Sequence, residues 1–213
     1  MKNNKNNFDV LALSSYTAPS TVEHVDKDFV MYGEDNDYFS ELIEHFMSST
    51  TNGSIITGIS NLVYGKGLGA KDANLKPEVW AKLHSILRPS ELKKAILDRK
   101  MLGMAALQVT YEGGKIKTIT HFPMNTLRAE KADTNGVIKQ WYYHRDWSEV
   151  QPNDKPKAIK AFGHGNKKGN EIYIIKPYVT GSFYYTPPDY VFALPYAKLE
   201  AEIGDYLIND TIN

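Results

Sequence analysis

The stretch "ELKKAILDRKMLGMAALQVTYEGGKIKTITHF", Glu91–Phe122, changes its hydrophobic period at Gly103. Before the glycine, Leu92, Ile96 and Leu97 recur at the spacing of a helix, predicted over Glu91–Leu102 with Ser90 as its cap. After it, Leu107, Val109 and Tyr111 alternate with Gln108 and Thr110, the period of two that marks a strand with one buried face. Gly113-Gly114 then supplies a two-residue hairpin turn and Lys115–Phe122 returns as the partner strand. One segment thus carries the change from helical to β organisation, and the flanks extend it on both sides.

Upstream, "YGEDNDYFSELIEHFMSS" opens on turn and cap residues (Gly33, Asp35, Asn36, Asp37) and continues with the apolar pairs Tyr38/Phe39, Leu42/Ile43 and Phe46/Met47, a helix. A polar break over Ser48–Gly53 leads to a second helix, capped by Thr51 or Asn52, with Ile55, Ile56, Ile59, Leu62 and Val63 as its apolar positions. Gly65 falls just past the last of these, where a left-handed helix end calls for glycine. A third helix is expected over Pro77–Leu87, with Val79, Trp80, Leu83 and Leu87 on one side. Downstream, strand-like runs cover Thr126–Ala129, Val137–His144, Ala158–Phe162 and Glu171–Tyr178. A last helix starts near Pro195, with Tyr196, Leu199, Ile203, Tyr206 and Leu207 as its apolar face. The fold class is therefore α+β: N-terminal helices, an antiparallel β-rich region, and a long C-terminal helix.

The 213 residues are 42% hydrophobic and 12% aromatic, enough to bury a core as one domain or two small ones. Lys+Arg and Asp+Glu both number 25, so no global charge excess points to nucleic acid or an anionic membrane. Local asymmetry exists: Met1–Thr50 holds three lysines against nine acids, and Lys155–Lys176 holds six lysines against Glu171 alone. The absence of cysteine excludes disulfides, thiolate metal sites and cysteine nucleophiles, and fits a reducing origin. No run reaches the ~18 apolar residues of a membrane span. The polar start "MKNNKNNFDVLALSS" reads as a mobile or extended arm over residues 1–30.

The motifs that carry chemistry elsewhere fail here on spacing. In "NLVYGKGLGA", Asn61–Ala70, Gly65, Gly67 and Gly69 alternate strictly, six residues separate Gly58 from Gly65, and Gly67 follows Lys66, so neither phosphate-loop pattern is met. His144-Arg145-Asp146 matches a kinase catalytic triplet, but Gln151 stands where the signature needs asparagine; these residues are expected to pack or pair at a strand end. The six histidines occur singly, which gives no metal motif, and no G-x-S-x-G elbow is present. "FGHGNKKGNEIY", Phe162–Tyr173, reads equally as an anion-binding loop or a hairpin tip, with Lys160, Lys167 and Lys168 as candidate sequence-independent DNA contacts. The aromatics Phe183, Tyr184, Tyr185, Tyr190, Phe192 and Tyr196 form a packing collar or a subunit contact.

Taken in order, "YGEDNDYFSELIEHF", "NLVYGKGL", "AILDRKMLGMAALQVTY", "ITHFPMNTLRAEK" ahead of "YYHRDW", and "SFYYTPPDYVFALPYAKLEAEIGDYLINDTIN" resemble tailed-bacteriophage portal proteins, most of all those of phages of Bacteroidetes-type hosts. The resemblance runs from about Met31 to the C-terminus. It implies a wing-like α+β domain over 31–194 and the start of a stem-like helix over 195–213, with the rest of the stem, the clip and the crown absent. It also implies a structural subunit, not an enzyme, without cofactor or metal, in a dodecameric ring at a capsid vertex. The partners implied are further copies of the chain, the terminase motor, capsid and head-tail connector proteins, and double-stranded DNA passing without sequence specificity; the location is the virion, and host cytoplasm during assembly. Tyr196, Lys198, Glu202, Asp205 and Asn209 become the candidate channel or subunit-interface residues, and the acids Glu200, Glu202, Asp205 and Asp210 would repel passing phosphates. Two other readings stay open: an intracellular hydrolase whose site comes from sequence-distant residues, and a DNA-binding module built on Lys155–Lys176.

Overall fold

The computed structural model describes residues 16–148, 150 and 155–212; residues 1–15, 149, 151–154 and 213, among them Gln151 of the kinase-like pattern, lie outside these. The chain is α+β. In order come β1 (Thr21–Glu23), β2 (Val30–Tyr32), α1 (Tyr38–Ser48), α2 (Thr50–Tyr64), α3 (Pro77–Ile86), α4 (Pro89–Leu102), β3 (Ala105–Glu112), β4 (Lys115–Phe122), β5 (Leu127–Ala129), β6 (Gln140–Tyr143), β7 (Lys157–Ala161), β8 (Gly169–Ile175) and α5 (Leu194–Ile212). Within the region read as an arm, β1 pairs with β2 in an antiparallel ribbon, and all three residues of β2 are buried.

The β3–β4 hairpin forms as the glycine pair requires, with Gly113 and Gly114 both at positive φ (59° and 76°) and Glu112 facing Lys115. The six-stranded sheet runs β4-β3-β8-β7-β6-β5, so β4 and β5, joined by only Pro123–Thr126, sit at opposite edges. Laid flat, those edges would stand ~24 Å apart, whereas five Cα steps reach at most ~18 Å. The sheet is therefore rolled, and Phe122 at the end of β4 meets Tyr143 of β6 with ring centroids 5.5 Å apart. Its inner face holds the main core, with Ala106, Leu127, Ala129, Trp141 and Ile172 packed against Phe39 and Leu42 of α1. α4 covers the outer face of β3 and β4 through Ala95.

The region is not wholly antiparallel, because β7 and β8 run parallel. They overlap only at Lys160–Glu171 and Ala161–Ile172, so β8 starts beside the end of β7 and continues past it. The loop from Phe162 to Lys168 has to step sideways, not return along a whole strand, which is why no long crossover is needed.

Helix boundaries depart from the sequence expectation at two caps. Ser49, not Thr51 or Asn52, caps α2, accepting from the Asn52 amide at 3.1 Å, and α1 passes into α2 through this one residue. Gly53 permits the tight joint, since a Cβ there would stand 2.6 Å from the Phe46 carbonyl oxygen. Arg88 precedes α4, with Pro89 at its first turn; the Ser90 hydroxyl turns to the Glu91 carboxylate instead of capping. The apolar stripes of α2 and α3 are mostly outside the core: Ile56 is buried, while Ile55, Leu62, Val63, Val79 and Leu83 are exposed. Gly65 does end α2 at positive φ (51°).

The aromatic collar divides. Tyr185 is buried, stacks on Tyr32 at 4.4 Å, donates to the Val30 carbonyl and accepts from the Ala129 amide at 3.0 Å, locking β2 to β5. Tyr184 bridges Glu23 and the Ala132 amide, and Tyr190 donates to the Met101 carbonyl at 2.6 Å. Phe183, Phe192 and Tyr196 are exposed.

Gly103 closes α4 in the left-handed conformation (φ 82°), and a Cβ there would lie 2.1 Å from the Thr186 carbonyl oxygen and 2.5 Å from the Pro187 carbonyl carbon. Gly103→Ala is expected to lower unfolding free energy by ~2 kcal/mol or more, because strain and backbone overlap add. Urea denaturation measures it, and an unchanged midpoint would show that the loop at Thr186–Pro188 is not seated as described.

Candidate functional site

Among the described residues the largest fully buried side chain is an arginine. Arg128, in β5, is 1% exposed. It donates from Nε to Asn36 Oδ1 (2.5 Å), from one terminal nitrogen to the Asn125 and Leu127 carbonyls (3.0 and 2.9 Å), and from the other to the Asn36 carbonyl (2.6 Å). Its guanidinium lies over the rings of Phe39 and Trp147, 5.2 and 5.1 Å from their centroids. Burial pulls its pKa down to about 10, still charged at neutral pH, and no carboxylate forms an ion pair with it among the described residues. Asn36 adopts positive φ (62°) to present both oxygens and also accepts from the Tyr32 amide. The "HRDW" segment is a turn that delivers Trp147 to this cation: Asp146 Oδ1 accepts from the Ser148 amide and hydroxyl, and the Trp147 indole donates to the Thr126 carbonyl at 2.9 Å. A cleft of about 670 Å³ opens beside it, lined by Asp26, Asp28, Asp35, Trp147 and Lys155 among others.

The lysine loop carries its own anion. Glu171, 0% exposed, accepts from the Gly163 amide (2.8 Å) and the Lys167 amide (3.3 Å), and a Cβ on Gly165 would stand 2.6 Å from Glu171 Oε1. The glycines that suggested an anion cradle thus wrap a carboxylate of the same chain. Lys160, Lys167 and Lys168 are exposed, and Lys160 Nζ donates to Gln140 Oε1 at 3.0 Å.

On α5, Leu194 and Ala197 are buried and Ala201 is half-buried, so the helix docks through Leu194 and a line of small side chains. Lys198, Glu202, Asp205 and Asn209 recur at four- and three-residue spacing and form one exposed polar stripe. Tyr196, Ile203 and Tyr206 are 65%, 49% and 69% exposed, so the apolar face read from the sequence turns largely away from the body. Glu200 is not one of the free acids. It accepts from the Ser49 and Thr51 hydroxyls and the Thr51 amide, pinning α5 to the N-terminus of α2.

His121 and Asp98 pair at 2.8 Å, both largely buried. Asp98 also accepts from the Met124 amide (3.1 Å), and Glu91 accepts from the His121 amide (2.9 Å), so this pair clamps α4 to the end of β4. Among the described residues no group of three or more His, Cys, Asp or Glu side chains is arranged to hold a metal ion, and no helix is long and apolar enough to cross a membrane. The anchoring roles of Arg128, Glu171 and Glu200 are not legible in the sequence; two of them leave a local trace, an arginine between Leu127 and Ala129 and a lone acid among lysines. Neither the family models nor the curated proteins compared with this chain match it.

Arg128→Met should remove four hydrogen bonds and leave buried carbonyls without partners, a loss of ~3 kcal/mol or more in unfolding free energy, and Arg128→Lys should recover little of it for want of the planar fork. Equilibrium unfolding followed by tryptophan fluorescence reports both. Hydrogen bonds from Ser49, then Thr51, hold Glu200 below its ordinary carboxylate pKa. Its contribution is therefore full above about pH 4.5 and is lost as pH falls through the depressed folded value. Amide exchange at the first turn of α2 should quicken in that acid range, and Glu200→Gln should flatten the pH dependence.

Proposed function

We propose that the chain is a structural subunit of a tailed-phage portal ring, contributing a wing-like domain and the start of the helix that leads toward the channel. The observation that carries this reading is α5, which docks by its small side and presents Tyr196, Ile203 and Tyr206 outward. A continuous aromatic-aliphatic stripe on a helix is costly in water and fits a neighbouring subunit. The exposed Leu62 and Val63 of α2 give a second apolar patch on the same chain, which a head-to-tail ring requires, since each copy contributes two different patches. The stripe of Lys198, Glu202, Asp205 and Asn209 lies beside the apolar one and is polar, with two acids to one lysine, suited to a wall along which DNA slides without gripping. In this reading the partners are further copies, the terminase motor, capsid and connector proteins, and duplex DNA, in the virion and, during assembly, the host cytoplasm. It assigns no catalytic role: the His121–Asp98 pair is accounted for as a clamp between α4 and β4.

Light scattering after size exclusion, with negative-stain microscopy of the largest fraction, tests the proposal. Concentration-dependent assembly toward rings is expected, and Ile203→Asp with Tyr206→Asp should shift the chain to monomer while leaving its circular dichroism unchanged. A chain that is monomeric at every concentration, or a double variant that assembles as the parent does, would overturn it.

A further inference from the structure

The outer face of β7 and β8 carries an aromatic pair that neither α4 nor the β2 ribbon covers. Phe162 is 43% and Tyr173 46% exposed, with ring centroids 5.5 Å apart and planes at 86°. The Phe162 amide donates to the Ile172 carbonyl at 2.8 Å, which fixes the two rings side by side. Register sets what surrounds them. Lys160 pairs with Glu171, Phe162 lies two residues after Lys160, and Tyr173 two residues after Glu171, so these four share one face of the sheet. Glu171 is the only acid among the six lysines of Lys155–Lys176, and its charge is buried under the Gly163 and Lys167 amides. Lys160, Lys167 and Lys168 are exposed and form no ion pair among the described residues. The surface around the rings is therefore positive although the whole chain has a formal net charge of zero.

We propose that Phe162 and Tyr173, with Lys160, Lys167 and Lys168, form a stacking platform for single-stranded nucleic acid. The two rings stand edge to face and are part-exposed, so the solvent-facing ring surface accepts the π-face of any unpaired base, and the lysines meet the adjoining phosphates. A duplex keeps its bases stacked on one another, so it offers the phosphates alone and gains nothing from the rings. Binding is tolerant of sequence and sensitive to salt, because charge release supplies much of the affinity. The site is separate from α5, and its test does not depend on ring assembly.

Fluorescence anisotropy of a labelled oligo-dT of about 12 nucleotides, with a duplex of the same length as comparison, measures it. The single strand should bind more tightly than the duplex at low salt. Phe162→Ala with Tyr173→Ala should weaken single-strand binding by roughly ten-fold or more and leave duplex binding nearly unchanged. Replacing Lys160, Lys167 and Lys168 by alanine should reduce the slope of log affinity against log salt by about two. All five side chains are exposed, so circular dichroism should match the parent. No binding at low salt, equal affinity for both forms, or full affinity in the aromatic variant would overturn the proposal. So would self-association that the aromatic variant abolishes in a chain that binds no oligonucleotide, since the rings would then be a subunit contact.

Discussion

A guanidinium cannot be left dry without partners, and the placement of Arg128 follows that rule. Taking the cation out of water costs several kcal/mol, so its N–H groups must meet acceptors and its faces must meet electron-rich rings. The acceptors come from Asn36 ahead of α1 and from Asn125 and Leu127 at the connection between β4 and β5; the rings come from Phe39 of α1 and Trp147 after β6. One side chain thereby sets the entry of the first helix, the short connection that rolls the sheet, and the turn that follows β6. The rolled sheet gives α1 an inner face to fill, and Tyr185 ties β2 across to β5 beside it.

The other buried or half-buried acids work in the same way at smaller scale. Glu171 holds the loop between β7 and β8, Glu200 holds α5 to α2, and Asp98 with His121 holds α4 to β4. Each carboxylate satisfies backbone amides that would otherwise lack partners, and each is thereby occupied by its own chain. What faces solvent is different in kind: the α5 stripe, the exposed residues of α2 and α3, and the Phe162–Tyr173 pair with its lysines.

Much of the element order is legible because period is a local property. The switch at Gly103, the Gly113-Gly114 turn, the end of α2 at Gly65 and the start of α5 near Pro195 all depend on residues within a few positions of one another. The caps were harder. Ser49 and Thr51 are both competent at the N-terminus of α2; Ser49 takes the cap by accepting from the Asn52 amide, while Glu200, far along the chain, accepts from both hydroxyls. The parallel pairing of β7 and β8 also escapes local reading, since alternation is the same in parallel and antiparallel strands.

Sequence by itself determined that this is an α+β chain, helices first and β-structure after, because hydrophobic period and glycine or proline punctuation act over a handful of residues. Only the tertiary structure decided which apolar stripes are core and which are surface. The stripes of α2 and α5 look alike in sequence to that of α1, yet Phe39 and Leu42 are buried while Leu62, Ile203 and Tyr206 are exposed. It likewise decided that the glycine-lysine loop encloses Glu171 and that Arg128 sits at the centre. Burial and partner choice are properties of segments brought together from far apart, and no local pattern encodes which of several equivalent faces will meet another.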